Sequence, residues 1–370
     1  MSERETSVVS IKRTDYTDPD IASLLSPLGG MGAFIQKGDR VLLKINLLSA
    51  RAPEEAVTTH PEFVRAVVRE VKNAGGLPYI GDSPAGRFTK GILSKAYEKT
   101  GIRRMAKEEN VPLNYDTESE KVIIPDGIKI KRIPVCDYVL RADKIIGIPK
   151  LKTHSLQYMT LACKNMFGAV PGLVKAKYHA LFPGRTAFGD MLLDVYSLLS
   201  PPLFIMDAVL GLHGQGPAGG GDPIDIGLAL ASADGIALDI AVCRLIGIEP
   251  TGIPLLKRAK IRGMWPDSLE YPLLDPDENR IKGFKLPNTA AFLQGGKRTQ
   301  IKSPVATDKC IGCGECQKIC PKNAIGLIDE SAVFDYSKCI RCYCCHEVCP
   351  FNAIKLTNIK TKEIRGTSYE

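Results

Sequence analysis

"KCIRCYCCHEVCP", residues 338–350, places five cysteines within thirteen residues and ends in a proline. The same pattern occurs earlier in the chain. "KCIGCGECQKICPKNAIGL", residues 309–327, aligns without gaps on "KCIRCYCCHEVCPFNAIKL", residues 338–356, at an offset of 29. Each copy reads C-x2-C-x2-C-x3-C followed by proline. This part of the chain is therefore a duplication of one cysteine-rich unit.

The spacing within each copy is that of bacterial ferredoxins, in which the fourth cysteine of a run ligates the other cluster. Three thiolates spaced two residues apart can wrap one face of a 4Fe-4S cubane, but the fourth points away along a short helix. We therefore predict two 4Fe-4S clusters with crossed ligands. The predicted first set is Cys310, Cys313, Cys316 and Cys349, and the predicted second set is Cys339, Cys342, Cys345 and Cys320.

Other roles for these cysteines fit the pattern less well. Structural zinc sites usually combine two separated C-x2-C pairs, and a disulfide scaffold belongs to a short exported chain. Cys344 lies outside the regular spacing: it competes with Cys345, serves a third centre or binds nothing, and the spacing favours Cys345 as the ligand. His346 is interpreted as a surface residue or a neighbour of the sulfurs.

The length and charge of the chain indicate at least two units. A chain of 370 residues is longer than one hydrophobic core usually serves. We predict a body over residues 1–300, a two-cluster domain over 303–358 and a C-terminal tail over 359–370. From Ser303 onward nine Lys and Arg face eight Asp and Glu, so nearly all of the net charge of +8 belongs to the body.

The body alternates short apolar runs with segments of helical periodicity, which is typical of an α/β fold with a mostly parallel sheet covered by helices. A small α+β ferredoxin-like domain is expected to follow it. Strands are predicted in "RVLLKINLL", "LPYIGDSPAG", "DKIIGIPKLKTH", "LFIMDAVLG" and "IDIGLALASAD", with helices over 61–76, 90–108, 156–168, 187–199 and 234–246.

Polar residues near the ends of these strands are candidates for one site, because open α/β sheets bind ligands outside the carboxyl ends of their strands. Residues 147–179 add a cluster of lysines and histidines without any acidic residue. Such a cluster normally needs a negative partner, so we expect an anionic small molecule. The candidate residues are Lys44, Asn46, Asp82, Lys150, Lys152, His154, Lys164, Asn165, His179 and Asp207, with Asp234 as a further member.

Some features exclude other partners. "HGQGPAGGGDP", residues 213–223, contains G-x-G-x-x-G but includes a proline and precedes a predicted strand, so we interpret it as a loop over the cleft or a connector. There is no dense basic run interleaved with aromatics, which argues against nucleic acid. The N-terminal residues are polar and lack the apolar core of a signal peptide. We predict a cytoplasmic protein that does not cross a membrane.

Several motifs of the body, in this order, resemble the domain-of-unknown-function 362 (DUF362) family. They are "VLLKINLL", "GDSPAG", "IPKLKTH", "MTLACKNMFGAVPG", "KYH", "MDAVLGLHGQGPAGG" and "ALASADGIALD". Here they precede a bacterial-type two-cluster ferredoxin domain. The resemblance implies an iron-sulfur protein of anaerobic bacteria or archaea, and it implies no particular reaction.

Two functions follow as hypotheses. In the first, the clusters transfer electrons and the body docks a redox partner protein or binds an anionic ligand. In the second, the protein is an oxidoreductase whose clusters reduce an anionic substrate or cofactor held in a basic cleft of the body. A purely structural role for the clusters explains a duplicated module poorly.

Overall fold

In this computed structural model of the chain, residues 6–218, 220–296 and 302–359 are described. An eight-stranded sheet forms the centre of the body, in the order β2-β11-β10-β7-β3-β4, with β8 paired to β10 and β9 paired to β8. The strands of the body are β1 (Ser7–Val8), β2 (Ser10–Arg13), β3 (Arg40–Ile45), β4 (Leu77–Gly81), β5 (Ser119–Ile123), β6 (Arg132–Cys136), β7 (Lys144–Ile148), β8 (Lys150–His154), β9 (Tyr158–Thr160), β10 (Leu203–Gly214), β11 (Gly221–Ser232) and β12 (Leu269–Glu270).

Helices cover both faces of this sheet. They are α1 (Ile21–Leu25), α2 (Pro61–Asn73), α3 (Lys90–Lys99), α4 (Ile102–Glu108), α5 (Asp137–Leu140), α6 (Ala162–Asn165), α7 (Gly172–Leu181), α8 (Arg185–Leu199), α9 (Gly235–Leu245) and α10 (Pro254–Ile261). The pairs β10·β7, β7·β3 and β3·β4 are parallel, whereas β10·β11 and β11·β2 are antiparallel. The predicted fold class, a mostly parallel sheet covered by helices, is confirmed.

Alternation along the strands explains why the sheet is covered on both sides. On β3, Val41 and Leu43 belong to one hydrophobic core and Leu42 to the other, as expected when successive side chains point to opposite faces. Helix α2 packs on the core that contains Val41 and Leu43. It begins at Pro61, which lacks a backbone donor where none is needed, and Gly75 follows its end with φ +85°. These signals made α2 predictable from the sequence.

Two predictions for the body are wrong. The helix predicted over 156–168 is replaced by β9, the single turn α6 and a 3-10 turn over Met166–Ala169. Asp234 was expected at the same sheet edge as the other candidates, but β11 runs antiparallel to β10, so its carboxyl end lies at the opposite edge. Asp234 caps α9 instead, since its carboxylate accepts from the Ile236 N–H at 2.8 Å.

The duplicated tail forms two short two-stranded sheets and two single-turn helices. Its elements are β13 (Ser303–Ala306), α11 (Glu315–Ile319), β14 (Ile325–Ile328), β15 (Ser331–Phe334), α12 (Cys344–Val348) and β16 (Ile354–Thr357). β13 pairs with β16 and β14 pairs with β15, both antiparallel. Tyr343 and Leu356 belong to a core of the body. The tail is therefore packed onto the body.

Three predicted features fall partly outside the described residues. These are Gly219 of the glycine-rich loop, residues 297–301 of the segment before the tail, and residues 360–370 of the C-terminus. No helix in the described ranges has both the length and the apolar character that crossing a bilayer requires.

Candidate functional site

The cysteines of the tail surround two separate cavities. One is lined by Cys310, Cys313, Cys316 and Cys349, which are the four members of the predicted first set. The other is lined by the four members of the second set and also by Cys344. The apolar pair Ala353 and Ile354 lines the first cavity, and Ala324 and Ile325 line the second.

The donor chemistry of both cavities fits a 4Fe-4S cluster. Each combines the four cysteines of a predicted ligand set with an apolar wall that limits water. The two copies also present equivalent backbone donors: the Ala324 N–H donates to Cys320 Sγ and the Ala353 N–H to Cys349 Sγ, both at 3.2 Å. Within the described part of the chain, no three His, Cys, Asp or Glu side chains are grouped as ligands of a single metal ion.

Hydrogen bonds of Arg51, Asn288 and His346 join the tail to the body. Arg51 donates to the carbonyl oxygen of Cys349 at 3.2 Å and to Asn352 Oδ1 at 2.8 Å. Asn288 donates to the Leu356 carbonyl oxygen at 2.8 Å. His346 is buried, with its ring nitrogens 2.7 Å from the Ile354 carbonyl oxygen and 2.9 Å from that of Gln215. It is therefore a bridge to the body and not a surface residue.

A third cavity lies between the tail and the body, and encloses about 700 Å³ including its solvent-filled mouth. The body contributes the residues that follow β3 and β4, parts of β8, β9 and α6, the 3-10 turn after α6, and the start and inner face of α7. The tail contributes the ends of α11 and α12. We call this the interface cavity. Its polar lining residues are Asn46, Asp82, Ser83, Lys152, His154, Thr160, Lys164, Asn165, Lys175, His179, Cys344 and Glu347.

Seven of the ten candidate residues of the body line the interface cavity. They meet there because β3, β4 and β7 are parallel and end at one edge of the sheet. The seven are Asn46, Asp82, Lys152, His154, Lys164, Asn165 and His179. Pro217 of the glycine-rich loop also lines it, so this loop does lie at the cleft.

Lys44 lies behind the cavity wall. Its ammonium is 2.8 Å from Asp82 Oδ1, and neither side chain is more than 5% exposed. The other carboxylate oxygen accepts from the Leu47 N–H at 2.6 Å. Gly168 packs so closely on this pair that a Cβ there would come within 2.1 Å of Asp82 Oδ1. Lys44 therefore neutralises Asp82 and holds the carboxylate in place.

Lys150 and Asp207 form a second buried pair away from the cavity. Their Nζ and Oδ2 atoms are 2.7 Å apart, and both side chains are fully buried. Tyr16 accepts from Lys150 at 2.8 Å and donates to Asp207 at 2.9 Å, and the His60 N–H donates to Asp207 at 2.9 Å. The structure does not bring this pair to the site, and every group in it has a partner.

Three lysines give the interface cavity its positive charge. Burial lowers the pKa of Lys152 to about 7 and that of Lys175 to about 8. Lys152 donates to the Val57 carbonyl oxygen at 2.7 Å, and Lys175 donates to Ser83 and to the Val170 carbonyl oxygen. For the ammonium of Lys164, no hydrogen bond or ion pair is found among the described residues.

His154 connects the body to the tail. Its Nδ1 accepts from the Leu156 and Gln157 N–H groups at 3.0 and 3.2 Å, so the ring proton is on Nε2. Nε2 lies 2.9 Å from Glu347 Oε1, but the two atoms do not meet hydrogen-bond geometry, and neither has another hydrogen-bond partner among the described residues. Burial, together with Lys164, lowers the pKa of His154 to about 4, so the ring is neutral. Burial alone would raise the pKa of Glu347, but His154 and Lys164 outweigh it and lower that pKa.

His179 lies on α7 and its ring stacks on Phe188, with ring centroids 4.1 Å apart. Burial lowers its pKa to about 3. The ring is therefore neutral around pH 7, and its Nδ1 has no hydrogen-bond partner among the described residues.

Sequence reasoning did not assign Cys344 and Glu347 to this site. A signal was present in the duplication. At the three positions where α12 has Cys344, His346 and Glu347, α11 has Glu315, Gln317 and Lys318. The residues of α12 are buried against the body, whereas Gln317 and Lys318 are exposed. The changes between the copies therefore mark the face that contacts the body.

Comparison with known proteins agrees with both parts of the chain. A domain of unknown function, DUF362, matches residues 41–244, and a 4Fe-4S dicluster domain matches residues 309–353. The thylakoid-associated protein sll1697 of Synechocystis sp. is 36% identical over 293 residues, which are 76% of this chain and 87% of that protein.

Among solved structures, the lactate racemase apoprotein from Thermoanaerobacterium thermosaccharolyticum is similar over 56% of this chain and 51% of its own, with a TM-score of 0.37 and 12% identity. The DUF362 match covers more than half of the chain. The chain therefore belongs to the DUF362 family, and it carries a 4Fe-4S dicluster domain after the family's domain.

Proposed function

We propose that this protein is an iron-sulfur electron-transfer protein with two 4Fe-4S clusters, whose body binds an anionic ligand in the interface cavity. One observation carries the proposal: Cys344 lines both the cavity of the second set and the interface cavity. A ligand in the interface cavity would thus be separated from the second cluster by a single side chain. Such clusters supply one electron at a time.

The charges of the interface cavity support an anion. Lys44 already neutralises Asp82, and Glu347 is the remaining carboxylate of the lining against Lys152, Lys164 and Lys175. A buried group of like charges needs a negative partner. The apolar part of the lining, including Leu47 and Phe167, would contact the rest of the ligand and limit its contact with water.

A second candidate function is that of an oxidoreductase that reduces the bound anion. The wall shared by the two cavities favours it, because a ligand there would be close to an electron source and screened from solvent. The residues of the chain would hold the ligand and supply protons. Lys152, with its pKa near 7, is the lining group best suited to give up a proton at neutral pH.

The first cluster is proposed as the contact for a redox partner protein. Cys313 is exposed, unlike the buried Cys345 of the second set. Around it, Ile311 and Phe351 are 57% and 45% exposed. Apolar side chains around an exposed ligand would allow close approach of a small electron-carrier protein. The predicted cytoplasmic location and anaerobic source stay predictions.

The proposal is tested by paramagnetic resonance of anaerobically purified, chemically reduced protein. We expect signals from two interacting four-iron centres, and addition of inorganic phosphate or succinate should change the signal of one centre only. Lys164→Met should abolish that change without loss of iron. Lys177→Met, at an exposed position on α7 outside the lining, is the matched control and should respond as wild type does.

Two results would contradict the proposal in different ways. If both centres are present but no added anion changes their signals, the proposed ligand binding is wrong and the proposed electron transfer is unaffected. If the protein contains zinc in place of iron, both the electron transfer and the ligand binding proposed here are wrong.

A further inference from the structure

Five polar atoms of the interface cavity lining lack a hydrogen-bond partner among the described residues, and two of them, His154 Nε2 and Glu347 Oε1, lie 2.9 Å from each other. The other three are Asn46 Oδ1, Thr160 Oγ1 and His179 Nδ1. Their residues are only 7%, 4% and 6% exposed. An unpaired buried polar atom costs roughly 1–3 kcal/mol, and three in one cavity therefore indicate that something else pairs with them.

The orientation of Asn46 defines what that partner must offer. The Asn165 amide nitrogen lies 3.4 Å from the Lys44 carbonyl oxygen, so Asn165 presents its own oxygen to Asn46. Asn46 donates to that oxygen at 2.9 Å. This leaves Asn46 Oδ1 as an acceptor without a donor. A bare oxyanion has only acceptors and cannot satisfy it.

The second requirement is a negative charge for Lys164. Its ammonium has no hydrogen-bond or ion-pair partner among the described residues; burial lowers its pKa, and Glu347 is the neighbouring carboxylate that favours the charged form. Glu347 Oε1 already lies 2.9 Å from His154 Nε2. An acidic group of the ligand would therefore find a donor at Lys164 and a second polar contact available at Thr160 or His179.

We propose that the interface cavity binds a small organic acid that carries a hydroxyl or N–H donor beside its carboxylate or phosphate group. The acid group contacts Lys164 and the donor pairs with Asn46 Oδ1. The apolar lining contacts the carbon skeleton. This inference rests on the proposed function in assuming an anion at this site, but it concerns binding alone.

The test uses two matched pairs of probes, which differ within each pair only by hydroxyl groups. These are malate against succinate, and glycerol 3-phosphate against propyl phosphate. Binding to the oxidised, cluster-containing protein is measured by calorimetry. We expect the hydroxylated member of at least one pair to bind about five- to tenfold more tightly, as one net hydrogen bond implies. The two pairs distinguish a carboxylate head group from a phosphate.

Two variants assign the contacts. Asn46→Leu should remove the preference for the hydroxylated probe, and Lys164→Met should weaken all probes about ten- to a hundredfold. Lys177→Met serves as the control for lysine removal. If Asn46→Leu does not fold, Asn46→Asp keeps an acceptor but adds a charge, and it should weaken both members of each pair.

The outcomes separate this inference from the proposed function. Equal binding within both pairs would overturn the donor requirement while leaving the anion site. Absence of binding by all four probes, with the iron content intact, would overturn the inference and leave electron transfer standing. A hydroxyl preference that Asn46→Leu leaves unchanged would overturn the role of Asn46.

Discussion

At the scale of the residue, the buried pair of Lys44 and Asp82 gives a stability prediction. Lys44→Met would leave the Asp82 carboxylate buried, with the Leu47 N–H as its one remaining hydrogen-bond partner among the described residues. Removing one member of a buried pair costs about 3–5 kcal/mol. We expect the free energy of unfolding, measured by urea denaturation, to fall by that amount.

The matched control lies on the same strand. Arg40 pairs with Asp143 at the surface, where the side chains are 56% and 41% exposed. Arg40→Leu should therefore cost at most about 1 kcal/mol. Equal losses in the two variants would contradict the role given to burial.

His179 gives a pH prediction. Its pKa is about 3 in the folded protein because the ring is buried, against about 6.5 in the unfolded chain. Above pH 6.5 the ring is neutral in both states. Between pH 6.5 and 3 only the unfolded chain binds the proton, so the free energy of unfolding falls by up to about 1.4 kcal/mol for each pH unit.

His179→Phe keeps the stacking on Phe188 and removes this titration. The variant should therefore gain stability relative to wild type as the pH falls from 7.5 to 5.5, measured by urea denaturation at each pH. His213→Phe, at a half-buried ring, should show a smaller gain. If the free energies of unfolding of wild type and His179→Phe differed by the same amount at every pH in this range, the ring of His179 would not be neutral and buried as described.

Single residues also show where sequence reasoning reached its limit. Asn46, Asp82 and Lys152 could be grouped because they follow or lie on strands that end at one edge. Lys150 precedes Lys152 by two residues on the same strand, yet it pairs with Asp207 outside the cavity. Charge and position cannot distinguish a lysine that faces a ligand from one that has a buried partner.

At the scale of the element, helices with clear start and stop signals were predictable and short segments were not. α2 has a proline at its first turn and glycines after its end. Residues 156–168 contain a strand, a single turn and a 3-10 turn, and their apolar residues fit a helical period only by chance. Tertiary packing decides such short segments.

The predicted crossed ligation of the two repeats implies how pairs of cysteine variants behave. Cys313→Ser with Cys349→Ser affects the first set alone, so about four irons should remain in each chain. Cys313→Ser with Cys320→Ser affects one ligand of each set, although both cysteines lie in the same repeat. That variant should lose both clusters.

Iron analysis of the two double variants measures this directly. Each has the same number of substitutions and keeps Cys344, so the comparison isolates the pairing. If Cys313→Ser with Cys320→Ser retained about four irons while the other pair retained none, each repeat would hold its own cluster and the crossed assignment would be wrong.

At the scale of the whole molecule, the tail closes a cavity that the body alone leaves open. α12 supplies Glu347 to His154 and Cys344 to the cavity wall, while the first set lies near exposed apolar residues. The duplication predicts two clusters from the sequence alone, because ligand spacing is local. The contact between tail and body joins residues far apart in sequence, such as His154 and Glu347. The hydrophobic periodicity of the sequence describes local structure and does not predict such contacts.

The central claim is that the tail holds two 4Fe-4S clusters. The most direct test measures the iron and acid-labile sulfide content of anaerobically purified protein, and then its paramagnetic resonance spectrum after reduction. The account predicts about eight irons and eight sulfides in each chain, with a spectrum of two interacting centres. A colourless protein with zinc, or a single centre with about four irons, would contradict it.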